Sequence, residues 1–331
     1  MRSFFCKARL GALLALIAAG ASPGGVGKAD AAVVSFGTGG NQFQMEFVTI
    51  GNPNNAADTS GVPNPAGAVG YTYGIGKFEV SEDMIDKFNA SQSLQITKDT
   101  RGTFKPATSV SWNEAARFVN WLNTSTGYAA AYKFDPSATG VNDNISLWQS
   151  GDAGYDASNP YRNSLAKYVL PTYNEWYKAA YYDPSNSTYY DYTNGSDTAP
   201  TAVASGTGAG TAVYNGQASP ADVDQAGGLS PYGVMGLGGN VREWEESSFD
   251  LLNDNSSDVR GLRGGGWNGN LSALSSTSRS NDRPTFEWSG LGFRVASLSS
   301  SPPPAVPEPS MMVIGTLFGL GGLVAKRRMK R

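Results

Sequence analysis

Residues 231–267 constrain the fold more than any other stretch of this 331-residue chain. They contain Tyr232-Gly-Val-Met-Gly-Leu-Gly-Gly-Asn-Val-Arg-Glu-Trp244 and Leu262-Arg-Gly-Gly-Gly-Trp267, glycine-dense turns that also carry a Glu, two Arg and two Trp. Glycine loses the most conformational entropy on folding, so such a run persists where backbone must turn at positive φ or approach something closely. The sequence leaves open whether that something is an ion, a ligand or another backbone.

Two absences bound the chemistry. The chain has no histidine, and its one cysteine is Cys6. Thiolate and imidazole catalysis, zinc-histidine sites, haem-histidine sites and disulfides are therefore excluded from the body of the protein. Carboxylates, Lys, Tyr, Ser and hard cations held by oxygen remain.

Both ends read as targeting segments. Arg2, Lys7 and Arg9 precede an apolar run over 10–21, and Ala29-Asp30-Ala31 offers a small-x-small cleavage site. That is the pattern of a secretory signal peptide over residues 1–31. At the other end a Pro-rich linker, 301–309, leads into segment 310–331, in which an apolar run over 311–325 precedes a basic cluster over 326–331. An apolar run of that length, at about 1.5 Å per residue, reaches about 22 Å, short of a hydrocarbon core of about 30 Å. It is a marginal span held by positive-inside charge, and membrane contact is expected only through it. Nine of the 25 basic residues and two of the 28 acidic ones lie in these ends, so the body, 32–300, carries about −10. A body this acidic repels phosphates, and no nucleic-acid partner is expected.

Within the body, Phe43, Met45 and Phe47 alternate with polar residues, which predicts a strand over 42–50 with one buried face. Tyr71, Tyr73 and Ile75 predict a second strand. Ser81 is placed to cap a short helix over 82–89. Ser111 and Glu114 form a capping box ahead of Trp112, Ala115, Ala116, Val119 and Leu122, which recur at helical spacing and predict a helix ending near Asn123. A second box, Thr172 with Glu175, starts a helix through Trp176, Ala179 and Ala180 that stops at Asp183-Pro184. The Trp residues are read as core. Long loops cover 135–163 and 183–230. The run 135–140 lacks the bidentate Glu of an EF-hand, and Gly206-Thr-Gly-Ala-Gly210 lacks the Lys-Ser/Thr of a phosphate loop. The fold class is α+β, irregular and loop-rich.

Six separated motifs agree with that class. They are Tyr73-Gly-Ile-Gly-Lys-Phe-Glu-Val80, Pro106 with Val110-Ser-Trp112, Leu170-Pro-Thr-Tyr-Asn-Glu-Trp176, Gly239-Asn-Val-Arg-Glu-Trp244, Leu262-Arg-Gly-Gly-Gly-Trp267 and Gly292-Phe-Arg-Val295. In this order, across about residues 42–296, they resemble the formylglycine-generating enzyme (sulfatase-modifying factor) family. The resemblance implies a single domain related to the C-type lectin fold. It also implies copper held by two cysteines near the end of the domain, but 262–296 contains no Cys, and iron held by histidine in one relative is equally excluded. Neither copper nor haem is expected. A structural Ca²⁺ is the cofactor the resemblance leaves, held at the turn 236–243 through Gly239, Val241 and Glu243, with Gly236 lacking the side-chain ligand of the family. Equally open is a Glu243 that caps backbone NH groups or pairs with Arg263 or Arg294.

Val306-Pro-Glu-Pro309, the apolar run and the basic cluster are together similar to a PEP-CTERM sorting signal. That implies a Gram-negative bacterium, an exosortase-type protease as partner, and a cell-surface or extracellular-matrix location. The functional expectation is a non-catalytic, exported domain that binds or scaffolds extracellular polysaccharide or protein. The alternatives are an enzyme using carboxylates such as Glu243, Glu245 or Glu246 with Tyr or Lys, and a purely structural matrix protein.

Overall fold

The computed structural model describes residues 31–135, 137 and 142–299. The segments read as signal peptide (except Ala31), Pro-rich linker and sorting tail lie outside those residues. Among the described residues no helix is long and apolar enough to cross a membrane.

The main sheet has five strands in the order β1-β2-β3-β9-β4, where β1 is Ala31–Phe36, β2 Phe43–Ile50, β3 Tyr73–Gly76, β4 Tyr168–Val169 and β9 Ala296–Leu298. All of its pairings are antiparallel, so the last described strand closes the sheet between β3 and β4. A second, four-stranded sheet runs β7-β6-β5-β8, from Ser280–Asp282 (β7), Arg260–Arg263 (β6), Arg242–Ser248 (β5) and Leu291–Gly292 (β8). Here β5 and β8 are parallel and the other pairs antiparallel. Between these lie three two-stranded ladders of two residues per strand, set in the long loops.

Strand β2 explains the layering. Phe43, Met45 and Phe47 point to one side, as their alternation predicts, and pack with the face of helix α2 (Trp112–Ser125) made by Trp112, Ala115, Ala116, Val119 and Leu122. The end of the strand departs from the one-faced expectation: Val48 and Ile50 are also buried, against Trp176, Ala179 and Ala180 of helix α3 (Tyr173–Tyr181). The sheet is thus covered on both sides, which successive Cβ directions along a strand allow. Helix α1 (Glu82–Asn89) starts from Ser81, whose Oγ accepts the Met84 amide at 3.4 Å.

Both capping boxes form. Ser111 Oγ accepts the Glu114 amide and Glu114 Oε2 accepts the Ser111 amide at 2.9 Å; Thr172 and Glu175 do the same for α3, at 2.7 Å for the return bond. Trp112, Trp176 and Trp244 are fully buried and Trp267 is 6% exposed, all core as read from the sequence. The fold is mixed α+β, rich in short strands and loops with few helices.

Candidate functional site

Strand β5 reads Arg-Glu-Trp-Glu-Glu-Ser-Ser, a sequence too polar to announce a core strand, yet Glu243, Glu245 and Glu246 are all 0% exposed. A buried carboxylate persists only with charged and hydrogen-bonding partners. Each of these has them. Glu243 Oε1 accepts from Arg294 Nη2 at 2.6 Å, while its Oε2 accepts from Arg294 Nε at 2.6 Å and Trp176 Nε1 at 2.7 Å. Glu245 takes Arg263 Nε at 2.6 Å on one oxygen and Arg279 Nε at 2.8 Å on the other. Glu246 takes Arg162 Nε at 2.8 Å, the Tyr132 hydroxyl at 2.7 Å and Asn159 Nδ2 at 2.6 Å. The pairing of β5 with β6 shifts register between Trp244 and Ser248, and this irregularity accommodates the consecutive buried Glu245 and Glu246. Of the two ion-pair partners considered for Glu243, Arg294 takes it and Arg263 goes to Glu245.

Two glycines of the opening stretch make room for carboxylates. A Cβ on Gly261 would lie 1.9 Å from Glu245 Oε2, so β6 needs a residue without a side chain there. Gly236 has φ +75°, and a Cβ there would lie 2.6 Å from Oε1 and 2.8 Å from Oε2 of Glu79. Glu79 is the residue the sequence reading missed, although it sits inside a quoted motif. It is 1% exposed; its Oε1 accepts Asn240 Nδ2 at 3.0 Å, and its Oε2 accepts no hydrogen bond. Burial pushes its carboxyl up to about 8; the Arg294 charge opposes this and the Glu243 charge adds to it.

Thus the structure brings Gly236, Asn240 and Glu243 of the turn together with Glu79 and Arg294. Arg294 also donates to the carbonyls of Gly76 at 2.9 Å and Met235 at 3.0 Å, tying the two segments. Among the described residues no three acidic, His or Cys side chains converge as a metal cage. Any cation at this turn would draw on two carboxylates, backbone carbonyls such as those of Gly239 and Val241, and water. Both oxygens of Glu243 are already bound by Arg294, which leaves Glu79 Oε2 as the carboxylate oxygen without a partner.

Two buried cations have no carboxylate against them among the described residues. Arg260 lies over the rings of Trp112 at 4.1 Å and Tyr161 at 3.6 Å, two cation–π contacts. Lys178, buried on α3, donates to the Asn52 carbonyl at 2.8 Å, and desolvation lowers its pKa to about 8. Asn52 also lines a cleft of about 690 Å³, with Thr49, Leu229, Pro231 and Tyr232 along its walls and the Lys77–Glu46 pair at 3.0 Å. Tyr232 stacks on Tyr182 at 6.4 Å. Glu243, Glu245 and Glu246 are not among the cleft's lining residues.

Similar structures share this arrangement of elements. Treponema denticola variable protein 1 superposes with a TM-score of 0.55 at 19% identity, covering 81% of this chain and 98% of that one. CarF superposes with a TM-score of 0.56 at 18% identity, covering 76% of this chain and 98% of its own. At these identities the likeness concerns the fold. No curated protein sequence matches the chain. Residues 40–298 match the sulfatase-modifying factor enzyme 1-like domain, and by that match across most of its length the chain belongs to the FGE-sulfatase family.

Proposed function

We propose that this is an exported, surface-sorted binding protein that keeps the family scaffold without its copper-dependent thiol chemistry, and that its ligand is an extracellular polysaccharide. Copper-thiolate oxidation needs cysteines, and Cys6 stands alone in the segment read as a signal peptide. The observation that carries the reading is the contrast between buried carboxylates and open cleft. The acids of β5 are held by guanidiniums in the core. The cleft instead is lined by the apolar surfaces of Leu229 and Pro231, by Tyr232, which is 7% exposed, and by polar Asn52 and Thr49. An aromatic surface beside amide and hydroxyl groups suits a sugar ring, which has apolar C–H faces and a hydroxyl edge.

The ends support the location: residues 1–31 as an export signal, and 310–331 as a sorting segment recognised by an exosortase-type protease in a Gram-negative bacterium. Titration calorimetry of the full chain against neutral and acidic extracellular polysaccharides tests the reading. Saturable binding is expected, weakened about tenfold, or about 1.4 kcal/mol, by Tyr232→Ala. Unchanged binding by that variant, or copper-dependent oxidation of a thiol peptide by the wild type, would overturn it.

A further inference from the structure

A second cleft, about 280 Å³, lies at the start of α2 and shares no lining residue with the one at Tyr232. Ser111, Asn113, Asn142, Asp143, Thr285 and Glu287 line it, and each bears a side-chain oxygen. The amide NH of Asn113 binds the Pro284 carbonyl at 3.1 Å, which holds the segment carrying Thr285 and Glu287, between β7 and β8, against the helix start. Asn113 is 1% exposed, yet among the described residues its Oδ1 has no hydrogen-bond partner. Buried amide oxygens are rarely left without a donor, so this one points to a donor brought by something bound in the cleft.

The charges here have one sign. Glu114, 1% exposed, is completed by neutral donors: the Thr97 amide and hydroxyl at 3.1 and 3.2 Å and Asn142 Nδ2 at 3.1 Å on Oε1, and the Ser111 amide and hydroxyl at 2.9 and 2.8 Å on Oε2. The same Thr97 hydroxyl stands 3.3 Å from Glu287 Oε2, so one proton serves two carboxylates. Among the described residues no Lys or Arg forms an ion pair with Glu114, Asp143 or Glu287, and Arg117 is turned to Asn142 at 2.8 Å and Asn144 at 2.9 Å. Burial and the Glu114 charge push the Glu287 carboxyl up, and a cation beside it offsets the repulsion.

We propose that this cleft binds the primary ammonium group of an amino sugar, with Glu287 and the Asn113 side-chain oxygen as its acceptors. No three acids converge here as a metal cage among the described residues, whereas an ammonium brings three N–H donors to separate acceptors. The walls name the carrier. None of the lining side chains is apolar, so the aliphatic stem of a lysine finds no surface along which to lie, while sugar hydroxyls find hydroxyl, amide and carboxylate partners. The site gives the extracellular polysaccharide a chemical class, a polymer with free amino groups, and it rests on the polysaccharide reading for the polymer but not for the ammonium.

Titration calorimetry of the full chain with the disaccharide of glucosamine tests this, with its N-acetylated form and trilysine as comparators. One saturable site for the glucosamine disaccharide is expected, with binding at least about tenfold weaker for the uncharged N-acetylated form and for trilysine. Glu287→Gln, at an exposed position, should weaken the disaccharide about tenfold by removing the charge from an ammonium hydrogen bond. Asp254→Asn, which removes an exposed charge outside the cleft, should leave it unchanged, as should Tyr232→Ala. Equal weakening by Glu287→Gln and Asp254→Asn overturns the proposal in favour of diffuse attraction to the acidic body. An N-acetylated form that binds as tightly, trilysine that binds more tightly, weakening by Tyr232→Ala, or no saturable binding overturns it as well. Failure at the Tyr232 cleft has its own signature, neutral-polymer binding that ignores Tyr232→Ala, so the two sites can fail separately.

Discussion

Around Glu245 two guanidiniums meet one carboxylate, whereas around Glu79 and Glu243 one guanidinium meets two. Arg263 and Arg279 take one oxygen of Glu245 each, and Arg279 further donates to the carbonyls of Ser248 at 2.9 Å and Phe249 at 2.6 Å. The excess charge is dispersed into backbone. Near Glu79 the imbalance has the other sign and nothing disperses it, because Oε2 has no donor. A third cluster shows that two carboxylates on one Arg do not by themselves leave an orphan. Arg162 bridges Glu175 and Glu246, yet neutral donors complete them: the Thr172 amide and Tyr71 hydroxyl on Glu175, Tyr132 and Asn159 on Glu246. There burial pushes Glu175 up, but Arg162 and these donors outweigh it and hold the carboxyl below its ordinary value. Hydrogen-bond completeness, more than the ratio of charges, separates a closed ionic cluster from one that leaves a carboxylate oxygen without a partner.

Substitutions sharpen this contrast. The largest effect is expected from Arg294→Met, which strips from Glu243 the guanidinium that binds it and leaves two buried carboxylates together. A loss of about 3–5 kcal/mol is expected in chemical denaturation. Arg279→Met should cost less, about 2 kcal/mol, because Glu245 keeps Arg263. Equal losses in the two variants would erase the distinction drawn between the clusters.

Lys178 offers the opposite case, a buried cation that, among the described residues, has no carboxylate against it and donates to the Asn52 carbonyl. Its folded pKa of about 8 lies below the ordinary 10.5, so between those values the unfolded chain binds more protons than the folded one. Stability due to this group therefore rises with pH across that window, and below about pH 8 the buried ammonium is a standing cost. Denaturation midpoints at pH 7.5 and pH 10 should show that rise in the wild type relative to Lys178→Met. No difference in slope would mean that the amine reaches water. The smallest effect, about 1 kcal/mol, is expected for Ser111→Ala, where Glu114 loses one reciprocal cap but keeps the Thr97 amide at 3.1 Å. Thermal denaturation of that variant measures it.

Helices were legible because their signals are local. Ser81, the box Ser111/Glu114 and the box Thr172/Glu175 fix three helix starts within a few residues of chain, and the apolar spacing behind each names its buried face. The alternation over Phe43, Met45 and Phe47 identified β2 for the same reason. Strand β5 was not legible as a core strand, since Arg-Glu-Trp-Glu-Glu violates the apolar alternation a buried strand normally shows. Its acids are tolerated only because Arg162, Arg263, Arg279 and Arg294 arrive from 84, 18, 34 and 51 residues away. The two-residue ladders of the long loops are too short to carry any periodicity.

By itself, the sequence determined the helix caps, the glycine-rich turn and the family to which its motifs point. Each depends on residue identity or on spacing within a turn or two. Only the tertiary structure decided which Arg meets which Glu, that Glu79 lies under Gly236, and that the cleft at Tyr232 is separate from the acids of β5. Ion pairing in a core is settled by which distant segments the sheets bring together, because a buried charge takes whatever partner packing places within a few ångströms.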